Sequence, residues 1–344
     1  MIKAAKIKEV VMQRLFRKKE QLNVGVDIGA TFIKAVAIDK SKTPPELTAF
    51  SYEPLTKDTT ASVKKAITKL GISNISVNTS ISGPSVIVRI VEMPGMSERE
   101  LKSAVKFEAE RYIPYKLDEV ITDFVKLEEL TGGKISVLLV AAKKSVINNR
   151  IELLSGAGLT LRAIDIDSFA IMNAFLNSQK ESKDITCALI DIGAKITNIN
   201  IVSGEQSYLT RDIQIAGDDI TVAIAEKLNL KKNKAETLKV NPVEQKNERA
   251  PIIKDAFYNL LNEIRLSFDF YENRYGKNVQ KIYVSGGSSR LEGISDFIKD
   301  ILSGDIVFWD PFNNINMSPK IDTAALEPIK ASFAVAVGLG LRES

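Results

Sequence analysis

Histidine is missing from all 344 residues, and cysteine occurs once, at Cys187. Without histidine there is no His-based triad and no His-ligated metal, and a single thiol cannot build a cysteine zinc site. A lone cysteine also excludes a disulfide within the chain, which fits a reducing compartment. No stretch approaches the ~20 apolar residues that a membrane span requires. Net charge is modest, +4, and unevenly placed. Residues 1–20 carry Lys3, Lys6, Lys8, Arg14, Arg17, Lys18 and Lys19 against Glu9 and Glu20. The remainder is close to neutral, so there is no global case for nucleic-acid binding.

Within 1–20, Ile7, Val10, Val11 and Leu15 recur at helical spacing with basic residues on the other faces, which reads as an amphipathic helix. The segment lacks the apolar core and cleavage site of a secretory signal. Such a helix can lie on an anionic membrane surface, pack on the body or a partner, or be a frayed terminus.

What the chain does contain is a repeated hairpin. Residues 22–38, LNVGVDIGATFIKAVAI, read as a strand, a tight bend and a second strand. Residues 187–202, CALIDIGAKITNINIV, repeat the pattern. The tetrapeptides Asp27-Ile28-Gly29-Ala30 and Asp191-Ile192-Gly193-Ala194 are identical. A glycine at such a bend lets the backbone approach a phosphate, and an aspartate beside it can hold a metal-bound water. Bends of this kind also close hairpins that bind nothing. Two copies in one chain point to two related lobes facing a shared ligand. A third glycine signal, Ser285-Gly286-Gly287, follows the strand predicted at 279–284. It fits either a flat approach to a nucleoside or an ordinary strand–helix turn.

Between the hairpins the sequence predicts a third strand at 47–52, a helix at 61–70 ended by Gly71, and a strand at 74–80. A segment of different character follows, with strands at 86–91, 121–130, 134–141 and 161–165 and helices at 101–111 and 144–156. Ser97 and Glu100 form a capping box ahead of its first helix. This block reads as an inserted subdomain; Phe107, Tyr112, Ile113 and Tyr115 near the end of its first helix fit its core, or, for Tyr112 and Tyr115 beside Pro114, a groove. After the second hairpin, 230–248 is polar with no apolar face worth burying, and 252–275 is a long helix.

The order of parts, hairpin, connecting helix, hairpin, long helix, strand-Gly-Gly and helix, resembles the actin/Hsp70/sugar-kinase ATPase superfamily over essentially the whole chain. Three stretches are similar to the PilM family of type IV pilus assembly proteins. They are Phe107-Glu108-Ala109-Glu110-Arg111-Tyr112-Ile113-Pro114-Tyr115, Glu263-Ile264-Arg265-Leu266-Ser267-Phe268-Asp269-Phe270-Tyr271 and Ala336-Val337-Gly338-Leu339-Gly340-Leu341-Arg342.

The resemblance implies an α/β, actin-like fold of two lobes, each with a mixed sheet and helices. The first lobe (1A) would span 21–182 plus 322–344 and carry an FtsA-like 1C, or SHS2-type, insert at about 82–160. The second (2A) would span 183–321, with a small 2B part at about 216–262.

It further implies ATP and Mg²⁺ between the lobes. Asp27, Gly29, Ala30 and Thr31 would form the first phosphate loop, with Lys34 pointing back toward it. Asp191, Gly193, Ala194 and Thr197 would form the second, and Asp27 and Asp191 would carry Mg²⁺ through water. Gly286 and Gly287 would flank the adenosine, and Glu263 would reach the ribose or base. Asp167 would orient the attacking water, with slow turnover at best. Lys195 departs from the usual Ser/Thr, and either strengthens phosphate binding or disturbs Mg²⁺ placement. The implied partner is the cytoplasmic N-terminal tail of a PilN-like membrane protein, bound between the first lobe and the insert near Tyr112, Ile113 and Tyr115. The implied location is cytoplasmic, at the inner face of the membrane, with self-association left open. The alternatives are an FtsA-like filament former and a sugar-kinase-like phosphotransferase.

Overall fold

The computed structural model describes residues 22–73, 76–179, 181, 184–241 and 246–343. The basic segment 1–20 lies outside them. Two sheets share one strand plan. In the first, β1 (Leu22–Ile28), β2 (Phe32–Asp39) and β3 (Glu46–Pro54) form an antiparallel meander. β4 (Ser76–Ile81) then joins β1 in parallel, and β8 (Thr160–Ile166) joins β4. In the second, β9 (Thr186–Ile192), β10 (Thr197–Ser203) and β11 (Gln206–Ile213) repeat the meander. β12 (Lys281–Ser285) and β13 (Asp305–Phe308) extend it in parallel. The orders β3-β2-β1-β4-β8 and β11-β10-β9-β12-β13 correspond position by position.

The local chemistry accounts for these elements. Every residue of β9 and β10 is buried; β9 reads as a near-continuous apolar run, while β10 alternates Ile with Asn198 and Asn200, whose amides donate to Asp212 and to Ser168 O. The helix α1 (Thr59–Lys69) starts at Asp58, whose carboxylate accepts the Ala61 N–H at 2.9 Å. It buries Val63, Ala66 and Ile67 on the first sheet.

A third sheet, in the order β5-β7-β6, contains β5 (Val86–Pro94), β6 (Val120–Leu130) and β7 (Lys134–Lys143). The helix α2 (Glu98–Tyr112) covers one face of it, over Val91, Met93, Val137 and Leu139. Its capping box is formed: Glu100 accepts from the Ser97 N–H at 2.9 Å, and Ser97 Oγ accepts from the Glu100 N–H at 3.4 Å. The next helix, α3 (Lys144–Gly156), leaves β7 and returns to the first sheet, where Leu154 joins the core around Val63 and Val77.

Between the two large sheets pack α4 (Asp167–Ser178) and, near the end of the chain, an all-buried apolar helix at Ala334–Leu341. Their core joins Val36, Ile38 and Leu47 of the first sheet to Leu189, Val202 and Tyr283 of the second. A Cβ at Gly338 would overlap the Ala170 carbonyl, so the two helix backbones touch.

The remaining helices of the second lobe are α5 (Gly217–Lys227), α6 (Lys232–Val240), α7 (Lys246–Tyr275) and α8 (Ile294–Ile301); after a single helical turn at Thr323–Leu326, the terminal helix Ala334–Leu341 is labelled α9. Two readings of the sequence are corrected here. The polar stretch 230–248 contains α6, which buries Ala235 and Leu238 on a stripe too narrow to stand out among its lysines. The chain also returns to the first sheet before residue 322: β14 (Asn316–Met317) pairs with β3, and Trp309, Phe312 and Ile315 already sit in the core between the sheets.

Candidate functional site

Both hairpin bends open on one cleft of about 460 Å³ between the sheets. In each, the glycine closes the bend: Gly29 N–H donates to Phe32 O and Gly193 N–H to Ile196 O, both at 3.1 Å. A side chain would crowd either turn, because a Cβ would lie 3.0 Å from Lys34 Nζ at Gly29 and 2.8 Å from Ile196 O at Gly193. The second bend is wired to α5, with Gly217 N–H donating to Gly193 O at 3.1 Å and Asp218 N–H to Ala194 O at 2.7 Å.

The carboxylates differ in their surroundings. Asp27 faces Lys34 across the hairpin, with the ammonium 2.5 Å from the carboxylate. Burial pushes the Lys34 ammonium down, but Asp27 and then Asp191 outweigh it and hold the group above its ordinary value. Asp191 accepts from Ser285 Oγ at 2.7 Å. Burial raises it to about 6 against the pull of Ser285 and Lys34. Asp167, the first residue of α4, is also raised to about 6, mainly by burial and then by the Asp27 charge, while the Ser80 and Ser82 hydroxyls oppose the rise.

Of the residues singled out in the sequence, Asp27, Gly29, Ala30, Thr31, Lys34, Asp167, Asp191, Gly193, Ala194, Lys195 and Gly287 line this cleft. Thr197 is fully buried with its hydroxyl donating to Ile215 O at 2.8 Å. Gly286 lies behind the lining, at φ 93° against Ile192, with its N–H on Ala331 O at 2.8 Å. Glu263 is outside the lining and pairs with Arg211 of β11 at 2.5 Å. The cleft wall in that lobe is α6 instead, through Glu236, Lys239 and Val240. Lys239 is buried, donating to Gly217 O at 3.0 Å and Thr221 Oγ1 at 2.8 Å and pairing with Glu236 at 2.7 Å.

Sequence reasoning also missed Ser80, Ser82 and Arg150. The two serines stand at the end of β4, where a Ser-x-Ser after a strand is a weak signal; Arg150 on α3 carries none. Its Nη1 is buried without a hydrogen-bond partner, and burial lowers the guanidinium against the charges of Asp167 and Asp27.

Near the insert, Ile113 is core, 5 % exposed, and Tyr115 donates its hydroxyl to Pro84 O at 2.8 Å beneath the Lys143 ammonium. Tyr112 is exposed.

These residues fit a nucleotide. Two glycine bends, the unpartnered Nη1 of Arg150 and Lys34 offer donors to phosphates, and the carboxylates offer water-mediated positions for a divalent ion. Among the described residues no cluster of three or more acidic, histidine or cysteine side chains could cage a metal. An ion here would draw on phosphate oxygens and water.

Two sheets of one topology, hairpin bends facing across a cleft and paired helices between them define an actin-like ATPase fold, which implies nucleotide binding. Comparison with known proteins narrows it. The family model for type IV pilus assembly protein PilM matches residues 25–344, and the chain belongs to that family. It is similar to PilM in the structure of a PilM–PilN type IV pilus biogenesis complex, with 29% identity, a TM-score of 0.84 and coverage of 93% of this chain and 98% of that one. A diol dehydratase-reactivating factor in its nucleotide-free form shares the fold alone, at a TM-score of 0.55 and 11% identity over 93% of this chain and 99% of that one. The cell division protein FtsA of Staphylococcus epidermidis is 22% identical over 240 residues, 63% of this chain and 51% of that one. The chain thus spans about half the length of the curated relatives it matches.

Proposed function

We propose that this chain is an ATP-binding scaffold of type IV pilus assembly, or of a related secretion machine, that holds the cytoplasmic tail of a PilN-like inner-membrane protein. The observation that carries the reading is the likeness to PilM from a PilM–PilN complex across nearly the whole chain. Among the described residues no helix is long and apolar enough to cross a membrane. Attachment at the inner face of the cytoplasmic membrane would come through the partner.

In the cleft, the bends at Gly29 and Gly193 take the phosphates, and Asp27 and Asp191 hold Mg²⁺ through water. Bound Mg²⁺ would supply positive charge against the phosphates. Asp167, ionised at neutral pH, accepts a hydrogen bond from a water and orients it. No histidine is available as a base, so hydrolysis is slow at best and the nucleotide serves to set the angle between the lobes.

The tail docks in a groove of about 540 Å³ between the outer face of the insert sheet and the second lobe. Val88, Ile90 and Leu138 line one side, and Leu209, Leu266 and Phe270 the other. Two sheet-edge strands, β5 and β11, flank it, and an extended segment could pair with either. The burial of Ile113 favours this groove over the one expected between the first lobe and the insert.

The test is capture of a PilN-like tail peptide by the full chain with MgATP, together with nucleotide titrations. Asp27→Ala and Asp191→Ala should weaken ATP binding, and Asp167→Ala should spare it and slow turnover. No peptide capture under saturating MgATP would sink the scaffold reading. An FtsA-like filament former, favoured by the FtsA similarity, predicts sedimentable polymer on lipid that is lost on deleting residues 1–20.

A further inference from the structure

Arg150 joins the nucleotide cleft to a helix that runs straight out of the insert. It lies on α3 and lines the cleft beside Ser80, Ser82 and Asp167. Its Nη1 is enclosed and makes no hydrogen bond within the protein. A buried guanidinium edge without a partner costs free energy until an acceptor arrives, and the planar fork matches the oxygens of a phosphate.

The helix that carries it has two attachments. Toward its C-terminal end Leu154 is locked into the first-lobe core with Val63 and Val77. At its start there is no linker: β7 ends at Lys143 and α3 begins at Lys144, whose ammonium donates to Asp118 O in the insert at 2.7 Å. β7 is the central strand of the insert sheet and pairs with all of β5, from Val86 opposite Ala142 to Pro94 opposite Lys134. From β5, Val88 and Ile90 face the groove against the second lobe. A pull on Arg150 therefore acts through one helix and two paired strands on the wall of that groove.

We infer that Arg150 is a nucleotide-state sensor: its guanidinium binds the terminal phosphate of ATP and, through α3 and β7, fixes the insert over the groove. The inference rests on the ATP reading of the cleft. Position selects the terminal phosphate, because Arg150 shares its corner of the cleft with Asp167, the residue placed to orient water beside the phosphate that is transferred. With ADP that corner holds no phosphate, and Arg150 is left facing Asp27 and Asp167.

The test uses the full chain, with MgATP and MgADP titrated by calorimetry and amide hydrogen exchange followed in residues 86–94 and 134–143. Arg150→Ala should weaken MgATP about 10- to 100-fold, the range of a charged hydrogen bond, and leave MgADP within about twofold. It should also abolish the ATP-dependent protection of β5 and β7. Arg150→Lys, which keeps charge but not the fork, should recover only part of both and guards against a folding defect in the alanine variant. MgATP affinity within twofold of wild type in Arg150→Ala, or unchanged strand protection, would overturn the sensor. Wild-type chain that binds neither nucleotide would instead overturn the ATP reading itself.

Discussion

Lys34 stands directly across the β1–β2 hairpin from Asp27, and at the same position of the second hairpin Asn198 stands across from Asp191. The two hairpins share a tetrapeptide but not a countercharge. The first carries its own cation inside the cleft, whereas the second satisfies Asp191 with the neutral Ser285 hydroxyl. Two copies of one device thus sit in different electrostatic surroundings, one with a direct ion pair and one with a neutral hydroxyl and a more distant share of the Lys34 charge.

The first prediction concerns that pair. Lys34→Met leaves the Asp27 carboxylate enclosed without its partner, which should cost about 3–5 kcal/mol. Asp27→Asn in the same chain should restore most of that stability and none of the nucleotide affinity. Urea unfolding at pH 7 reads both variants; a Lys34→Met protein as stable as wild type would show that the pair carries no net weight.

Asp167 gives a pH signature. Its folded value, about 6, lies above the ordinary 3.8 of an aspartate, so the fold favours the protonated form. The stabilising contribution is complete below 3.8 and is lost as pH rises through about 6. Above that window the wild type bears about 3 kcal/mol of ionisation cost that asparagine does not. Asp167→Asn should therefore raise stability in the apo protein at pH 8, with the gain shrinking as pH falls from about 6 to about 4. Thermal melts at both ends check it, and a gain that is the same at pH 8 and pH 4 would refute the assignment.

Gly338 tests the helix pair between the lobes. A methyl there has nowhere to go, since it would overlap the Ala170 carbonyl on α4 and backbone cannot swing aside. Gly338→Ala should cost more than about 3 kcal/mol or prevent folding. Gly71→Ala, at φ 67° in open space, should cost about 1 kcal/mol from the left-handed backbone alone. Comparable stability of the two variants would show that α4 and α9 can separate freely.

These sites differ in how far the sequence announces them. The hairpins are legible because an apolar period of two breaks at Asp-Ile-Gly-Ala twice, and glycine and aspartate are chosen there for local backbone reasons. The Ser97–Glu100 box is legible for the same cause: both partners lie within one turn. Arg150 and Lys239 are not, because each sits on a polar helix and matters only through where that helix lands. Glu263 has the right neighbours along α7, yet Arg211 from β11 holds it outside the cleft, a partner 52 positions away. Ile113 beside a proline suggests a groove, but the chain turns under the insert sheet at that point and buries it. β14 is two residues long and has no pattern to read.

The groove between the insert and the second lobe supplies the last prediction. Leu266 and Phe270 are a turn apart on α7, and both are more than half exposed, at 54% and 52%. Buried apolar side chains at the centre of a docking site carry most of its energy, so a glutamate there both removes the anchor and leaves a charge to desolvate. Leu266→Glu and Phe270→Glu should each weaken capture of a PilN-like tail peptide by about 2 kcal/mol or more, near 30-fold. Folding should be untouched, since both side chains already face water. MgATP affinity should also hold, because neither residue lines the nucleotide cleft. Exposed Tyr112 provides the contrast at the other end of the insert: Tyr112→Ala should leave capture unchanged. If instead Tyr112→Ala abolishes binding while Phe270→Glu is silent, the tail lies along the end of α2 and not in this groove.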